Sequence, residues 1–144
     1  MKILAVETSS ARGAVALLDD RVLAERIFGR GSRHGRDLVP CSDELLGGDS
    51  RSVELLAVSA GPGSYTGLRV GVTFAKTFAV EAGVPVVGVS SLDVIAANAA
   101  RAGPLCVVVD ARLEQVYAAV YNGAGRKVAG DMAASPAAVA ALIA

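Results

Sequence analysis

The chain has no tryptophan, and only 4% of its 144 residues are aromatic. A surface that grips nucleic acid by stacking bases needs aromatic faces, so the composition argues against that class. Histidine is scarcer still: His34 stands alone. Zinc or iron sites of the HxxxH or HExxH type need paired histidines and are excluded. A Ser-His-Asp triad would have to use His34, which sits beside Arg33 and near Arg36, and no GxSxG turn presents a serine. In that basic stretch His34 reads as a solvated loop residue. Cys41 and Cys106 have no Cys or His neighbour at a redox or zinc spacing and read as reduced thiols. Fourteen basic and fourteen acidic residues cancel, so no overall charge draws the chain to nucleic acid, and only a local patch could do so. Apolar runs are broken at Pro85, Asp93 and Arg101 before they reach membrane-spanning length, and Glu7 falls where a signal peptide needs its apolar stretch. A cytoplasmic protein with no membrane partner is expected.

What the chain does have is apolar residues, 53% of the total, enough for a substantial core. Short strands are expected over residues 3–6, 13–18 and 21–28, the last two joined at Asp19-Asp20 as a hairpin. A loop over 29–35 leads to a helix over 36–46, with Pro40 near its start and Gly47-Gly48 as its stop. A strand over 53–59, a long helix over 66–82, a β-branched strand over 84–89 and a helix from Ser90 or Ser91 to residue 102 follow. Beyond them come strands over 105–110, 115–121 and 127–129, then an Ala-rich helix capped by Ser135-Pro136. The order βββαβαβα over residues 1–102 predicts an α/β, ribonuclease-H-like lobe: one mixed sheet with helices on both faces.

Leu4–Leu18 aligns without gaps on Val107–Tyr121, placing Glu7 and Asp110 directly after equivalent strands. A second copy begun at residue 103 predicts an actin-like pair of lobes, the second incomplete within 103–144. Asp110 and Arg112 are expected to form an ion pair there.

The segment richest in signals is Ser59-Ala-Gly-Pro-Gly-Ser-Tyr-Thr-Gly-Leu-Arg-Val-Gly71. It has the strand-to-helix placement of a phosphate loop. It lacks the Gly-Lys-Ser/Thr ending that would supply charge and a magnesium ligand, and the third glycine of a dinucleotide loop. The helix start could still hold an anion through Ser64, Thr66 and Arg69, with Glu7 and Thr8 at the first strand's end. The same helix carries Gly67, Gly71, Ala75 and Ala79 at four-residue spacing, beside Val70, Phe74 and Phe78. Those rows suit either the protein's own sheet or a partner helix. Leu38, Cys41 and Leu45 form one face of the preceding helix. Arg30, Arg33 and Arg36 cluster on the loop before it, a candidate RNA contact.

Taken together, residues 1–9, Ser59–Gly71, Gly88-Val-Ser-Ser-Leu92, Asp110-Ala-Arg112 and Val116-Tyr117 resemble the bacterial TsaB (YeaZ) family. The resemblance implies an actin-like fold and a role in forming threonylcarbamoyladenosine beside the tRNA anticodon. It implies a non-catalytic subunit with no cofactor of its own, ATP and metal belonging to the paralogous TsaD partner. It further implies contact with a TsaE-like ATPase and a homodimer in isolation. The implied interface lies on helices 36–46 and 66–82: Leu38, Cys41, Leu45, Gly67, Val70, Gly71, Phe74, Ala75 and Phe78. An actin-like phosphotransferase or a glycoprotease-like peptidase is the competing expectation.

Overall fold

A computed structural model describes residues 1–29, 34–99 and 103–143. The chain forms two compact units, Met1–Val89 and Ser90–Ala144.

The first unit is built on a five-stranded sheet of order β3-β2-β1-β4-β5. Its strands are β1 (Ile3–Glu7), β2 (Gly13–Leu18), β3 (Val22–Phe28), β4 (Leu55–Gly61) and β5 (Val86–Ser90). β1 and β2 pair antiparallel, as do β2 and β3, whereas β1 and β4 run parallel. Register explains the core. Leu4 lies opposite Leu17 on one side and Leu56 on the other, and Val6 lies opposite Val15 and Val58. All six are buried and, because strand side chains alternate, share one face. Each such side chain contributes roughly 1.5–3 kcal/mol on burial.

Two helices, α1 (His34–Leu46) and α2 (Tyr65–Ala82), cover that face together. α1 supplies Leu38 and α2 supplies Ala75 to the same buried cluster. Helices were expected on both faces; in this unit both pack on one, because the next helix belongs to the second unit. α1 starts two residues earlier than the sequence suggested, and Pro40 is accommodated as its seventh residue. α2 is capped by Ser64, whose hydroxyl accepts the Gly67 N–H, and closed by Gly83 at φ 70°, a left-handed position suited to glycine. A 3-10 turn, Ser50–Ser52, precedes β4 and was not anticipated.

The second unit holds α3 (Ser91–Asn98), an antiparallel sheet of β6 (Leu105–Arg112), β7 (Gln115–Tyr121) and β8 (Lys127–Ala134), and α4 (Pro136–Ile143). Leu92 and Ala96 of α3 are buried with Val107, Ala119 and Tyr121. By burial, α3 goes with the second unit. β8 runs past its expected end at residue 129. Its pairing with β7 resumes beyond an irregularity between Ala118 and Val120, where Gly130 and Asp131 (φ 51°) stand against the single residue Ala119 as a bulge.

Candidate functional site

The glycine segment Ser59–Gly71 wraps the end of β1. The Ser64 N–H donates to the Ser9 carbonyl at 2.7 Å. The Thr8 hydroxyl donates to the Gly67 carbonyl at 2.8 Å. A Cβ added at Gly63 would lie 2.4 Å from the Ser9 carbonyl oxygen, one at Gly67 2.0 Å from that of Thr8, and one at Gly71 2.2 Å from Thr8 Oγ1. At Gly63 and Gly67 backbone, and at Gly71 the buried Thr8 hydroxyl, occupies the place a side chain would need.

This corrects three expectations. Gly67, Gly71 and Ala75 are buried against the protein's own strand, so they offer no surface to a partner. Thr8 is fully buried with its hydroxyl engaged, so it is not available to an anion. Leu38 is 1% exposed and belongs to the core, although it also floors the groove described below. Ser64, Thr66 and Arg69 are exposed, whereas Glu7 is half-buried and accepts the Ser9 N–H. The anion set proposed from sequence is thus split between the covered end of β1, with Glu7 and Thr8, and the outer face at the start of α2, with Ser64, Thr66 and Arg69.

His34 is not solvated. It is 7% exposed, and its Nε2 donates to the Ser10 carbonyl at 2.9 Å. The ring meets Phe28 edge-on at 6.0 Å, and Nδ1 is buried without a hydrogen-bond partner among the described residues. It lies under Gly13, where an added Cβ would come 2.9 Å from Nδ1. A flanking run of arginines masked this role, since the burial comes from Gly13 of β2, Phe28 of β3 and the Ser10 carbonyl, which only folding brings around His34. Arg30 and Arg33 lie outside the described residues; Arg36 is exposed on α1.

Between α1 and α2 lies a groove of about 440 Å³. Leu38 and Val39 line it from α1; Arg69, Val70, Thr73 and Phe74 line it from α2. Val39 is 57% exposed, and Val70 and Phe74 are half-buried. Phe74 continues to Phe78 through a ring contact at 5.7 Å. Cys41 and Leu45 are half-buried and pack against the core beside them. Burial pushes the Cys41 thiol up, aided by the negative charges of Asp37 and Glu44, which disfavours a reactive thiolate. The groove therefore offers apolar contact with little chemistry.

A polar cluster in the second unit had no counterpart in the sequence reading. Asp93 accepts the Tyr121 hydroxyl at 2.7 Å and pairs with Lys127 at 2.8 Å. Lys127 also pairs with Asp131 at 2.9 Å, and Asp131 accepts the Ser90 hydroxyl at 3.0 Å. Burial, with the Asp93 bond, pushes the Tyr121 hydroxyl up to about 12. Burial opposes the Lys127 charge, but its bonds to Asp93 and Asp131 prevail and hold the amine above its usual range. Burial likewise opposes the Asp93 charge, and the Lys127 and Tyr121 bonds outweigh it, holding the carboxyl below its usual range. Such shifts make each group harder to change in protonation and suit a structural clasp. Its members span residues 90–131, so only folding reveals them.

Asp110 and Arg112 form no ion pair with each other among the described residues. The Asp110 carboxylate instead accepts the Arg112 backbone N–H at 2.8 Å, which closes a turn. Among the described residues no three His, Cys, Asp or Glu side chains come together, and no helix is long and apolar enough to cross a membrane.

Comparison with known proteins places this geometry. Residues 30–143 match the family model of TsaD, the tRNA N6-adenosine threonylcarbamoyltransferase. The tRNA threonylcarbamoyladenosine biosynthesis protein TsaB of Bacillus subtilis is 39% identical over 127 residues, covering 85% of this chain and 56% of that protein. Its Escherichia coli namesake is 33% identical over 128 residues, covering 85% and 55%. This chain therefore spans little more than half the length of these relatives. Among solved structures, YeaZ from Pseudomonas aeruginosa superposes with a TM-score of 0.85 at 29% identity, over 94% of this chain and 68% of that one. RuvC of Thermus thermophilus (TM-score 0.50, 15% identity, 69% of this chain and 73% of that one) shares the fold alone. With the family model matched over most of its residues, this chain belongs to the TsaD threonylcarbamoyltransferase family, and within it to the TsaB (YeaZ) group.

Proposed function

We propose that this chain is a non-catalytic, cytoplasmic subunit of the assembly that makes threonylcarbamoyladenosine in tRNA. In this reading it docks onto a TsaD-like catalytic subunit, which holds ATP and metal, while it binds no cofactor itself. In isolation the same surface pairs two copies, and a TsaE-like ATPase joins the assembly; the tRNA nucleotide that is modified is met indirectly, through the catalytic partner. The observation that carries the reading is the apolar groove between α1 and α2, with Val39 open to solvent and Val70 and Phe74 half-covered. An apolar helix-pair face next to a rigid sheet is the kind of surface a partner helix fills. The burial of Thr8 under Gly67 and Gly71 supports a scaffold over a phosphotransferase, because the end of β1 is closed by the chain's own backbone.

Val39→Asp combined with Thr73→Glu places charge in the groove at exposed positions. Association with the TsaD-like subunit, followed by calorimetry, should weaken tenfold or more, about 1.4 kcal/mol or above. The circular dichroism spectrum should stay unchanged. Undiminished association would reject the groove as the docking surface. Magnesium-dependent ATP binding by the isolated chain, lost on Glu7→Ala, would reject the scaffold reading itself.

A further inference from the structure

Three chain segments meet at His34. The loop after β1 lends it the Ser10 carbonyl at 2.9 Å. α2 presents Gly67, where an added Cβ would lie 3.5 Å from the ring's Cδ2. The third segment is the start of α1, which His34 itself opens. Each segment carries an exposed arginine two residues further on: Arg12, Arg69 and Arg36. Arg69 lines the groove together with Gly35, the residue before Arg36. Among the described residues none of the three takes part in an ion pair, whereas Arg26 on β3 is held by Glu44 at 2.6 Å. The acids on these elements compete weakly. Glu7 is half-buried and engaged by the Ser9 N–H, and Asp37 is half-buried on α1.

We propose that Arg12, Arg36 and Arg69 form a contact surface for the phosphate backbone of RNA. That the RNA is tRNA rests on the function proposed above; here the subunit touches it directly. Guanidinium forks match phosphate oxygens and keep their charge at any working pH. Such contacts set position and orientation without reading bases, consistent with a chain so poor in aromatic side chains. The mounting is firm: the Ser10–His34 bond, the Ser64–Ser9 bond and the Thr8–Gly67 bond tie all three segments together. Only side-chain freedom is then lost on binding.

The test is a titration of the full chain with an unmodified tRNA transcript, read by fluorescence anisotropy between about 50 and 200 mM salt. Arg12→Gln with Arg36→Gln leaves the groove lining untouched. It should weaken binding about tenfold or more at the low-salt end. The log–log salt slope should become shallower by about 1.4 to 1.8, since each phosphate left without its arginine removes about 0.7 to 0.9. Arg69→Gln alone should make the slope shallower by about 0.7 to 0.9. Unchanged affinity and slope would overturn the proposal, as would a wild-type chain that ignores tRNA at the lowest salt. If the double variant instead lost association with the TsaD-like subunit in the absence of RNA, the arginines would belong to an acidic protein surface, and the RNA assignment would fall. Either failure leaves the scaffold reading standing, because that reading is decided by the groove variants.

Discussion

Two hairpins begin from the same sequence logic and end differently. β1–β2 opens the first unit and β6–β7 carries the sheet of the second. In each, an acid follows the apolar strand, and its carboxylate accepts the backbone N–H two residues on: Glu7 from Ser9, Asp110 from Arg112. From there they part. The first connection is longer, and α2 lies on it with glycines where side chains would collide. The second is a tight turn in which Arg112, Leu113 and Glu114 all take left-handed φ angles of 66°, 51° and 60°, with all three exposed. The gapless alignment would place Asp110 opposite residue 117, as Glu7 lies opposite Ala14; it lies opposite Val116. Ala118 is buried like its aligned Val15, but further along β7 the burial shifts: Tyr121, aligned with half-buried Leu18, is buried, while Val120, aligned with buried Leu17, is half-exposed. A one-residue change in register exchanges the faces of a strand. The lesson is that an acid-closed hairpin is a neutral part. What covers its turn decides whether it anchors a helix pair or stands as a ribbon.

The largest effect is expected where backbone meets backbone. Gly67→Val puts a branched side chain where even a Cβ falls 2.0 Å from the Thr8 carbonyl oxygen. That oxygen belongs to main chain and cannot swing aside, so overpacking should destabilise the first unit by about 3 kcal/mol or more. Urea denaturation followed by circular dichroism would show it. Leu at Gly71 would meet the buried Thr8 hydroxyl, 2.2 Å from a Cβ there, and Leu at the fully buried Ala75 would overpack the core; both variants should lose the fold of the first unit together with any association. A Gly67→Val chain as stable as wild type would mean that α2 does not seat on the first hairpin.

The second unit should instead reveal itself by pH. Tyr121 has a folded pKa of about 12 against 10 when unfolded, so the folded state keeps a proton that the unfolded state releases. Its stabilising contribution is therefore complete below pH 10 and is lost as pH rises through about 12. Lys127, also raised, acts in the same direction. Asp93 is lowered, so its share is present above its ordinary 3.8 and fades as pH falls through its lower folded value. Tyr121→Phe removes the hydroxyl that Asp93 accepts and should cost about 1 kcal/mol at neutral pH. It should also flatten part of the alkaline loss. Stability scans across alkaline pH that coincide for wild type and variant would show that the clasp does not carry the second unit.

Local signals reached the strands and the long helix because both are set by short-range periodicity. β2 falls on its expected residues, and α2 begins one residue early and ends as read. The glycine stripe was also visible at four-residue spacing, but whether it faced a partner or the chain's own strand depends on what lies beneath it, which is Thr8. His34 and the Asp93–Tyr121–Lys127 clasp share one reason for being missed: each is made by residues far apart in sequence, such as Ser10 with His34 and Asp93 with Tyr121. The register slip at Asp110 is local, set by the left-handed turn over Arg112, Leu113 and Glu114, which composition does not spell out. The groove was half legible: Val70 and Phe74 were picked by their spacing, whereas Val39 and Thr73 emerge only from how α1 and α2 lie side by side.

The smallest effect inverts the first. Where α2 covers the β1–β2 connection an added side chain is ruinous; at the β6–β7 turn a removed one should help. Leu113 is 94% exposed at φ 51°, so it packs on nothing and its Cβ crowds the backbone. Leu113→Gly relieves that crowding but gives the unfolded chain more freedom, and the two terms nearly cancel. A net gain of about 0.5 kcal/mol is expected, seen as a small upward shift in the denaturation midpoint with an unchanged slope. A loss of about 1 kcal/mol or more would mean that Leu113 makes contacts in solution, and the second hairpin would then be a covered turn like the first.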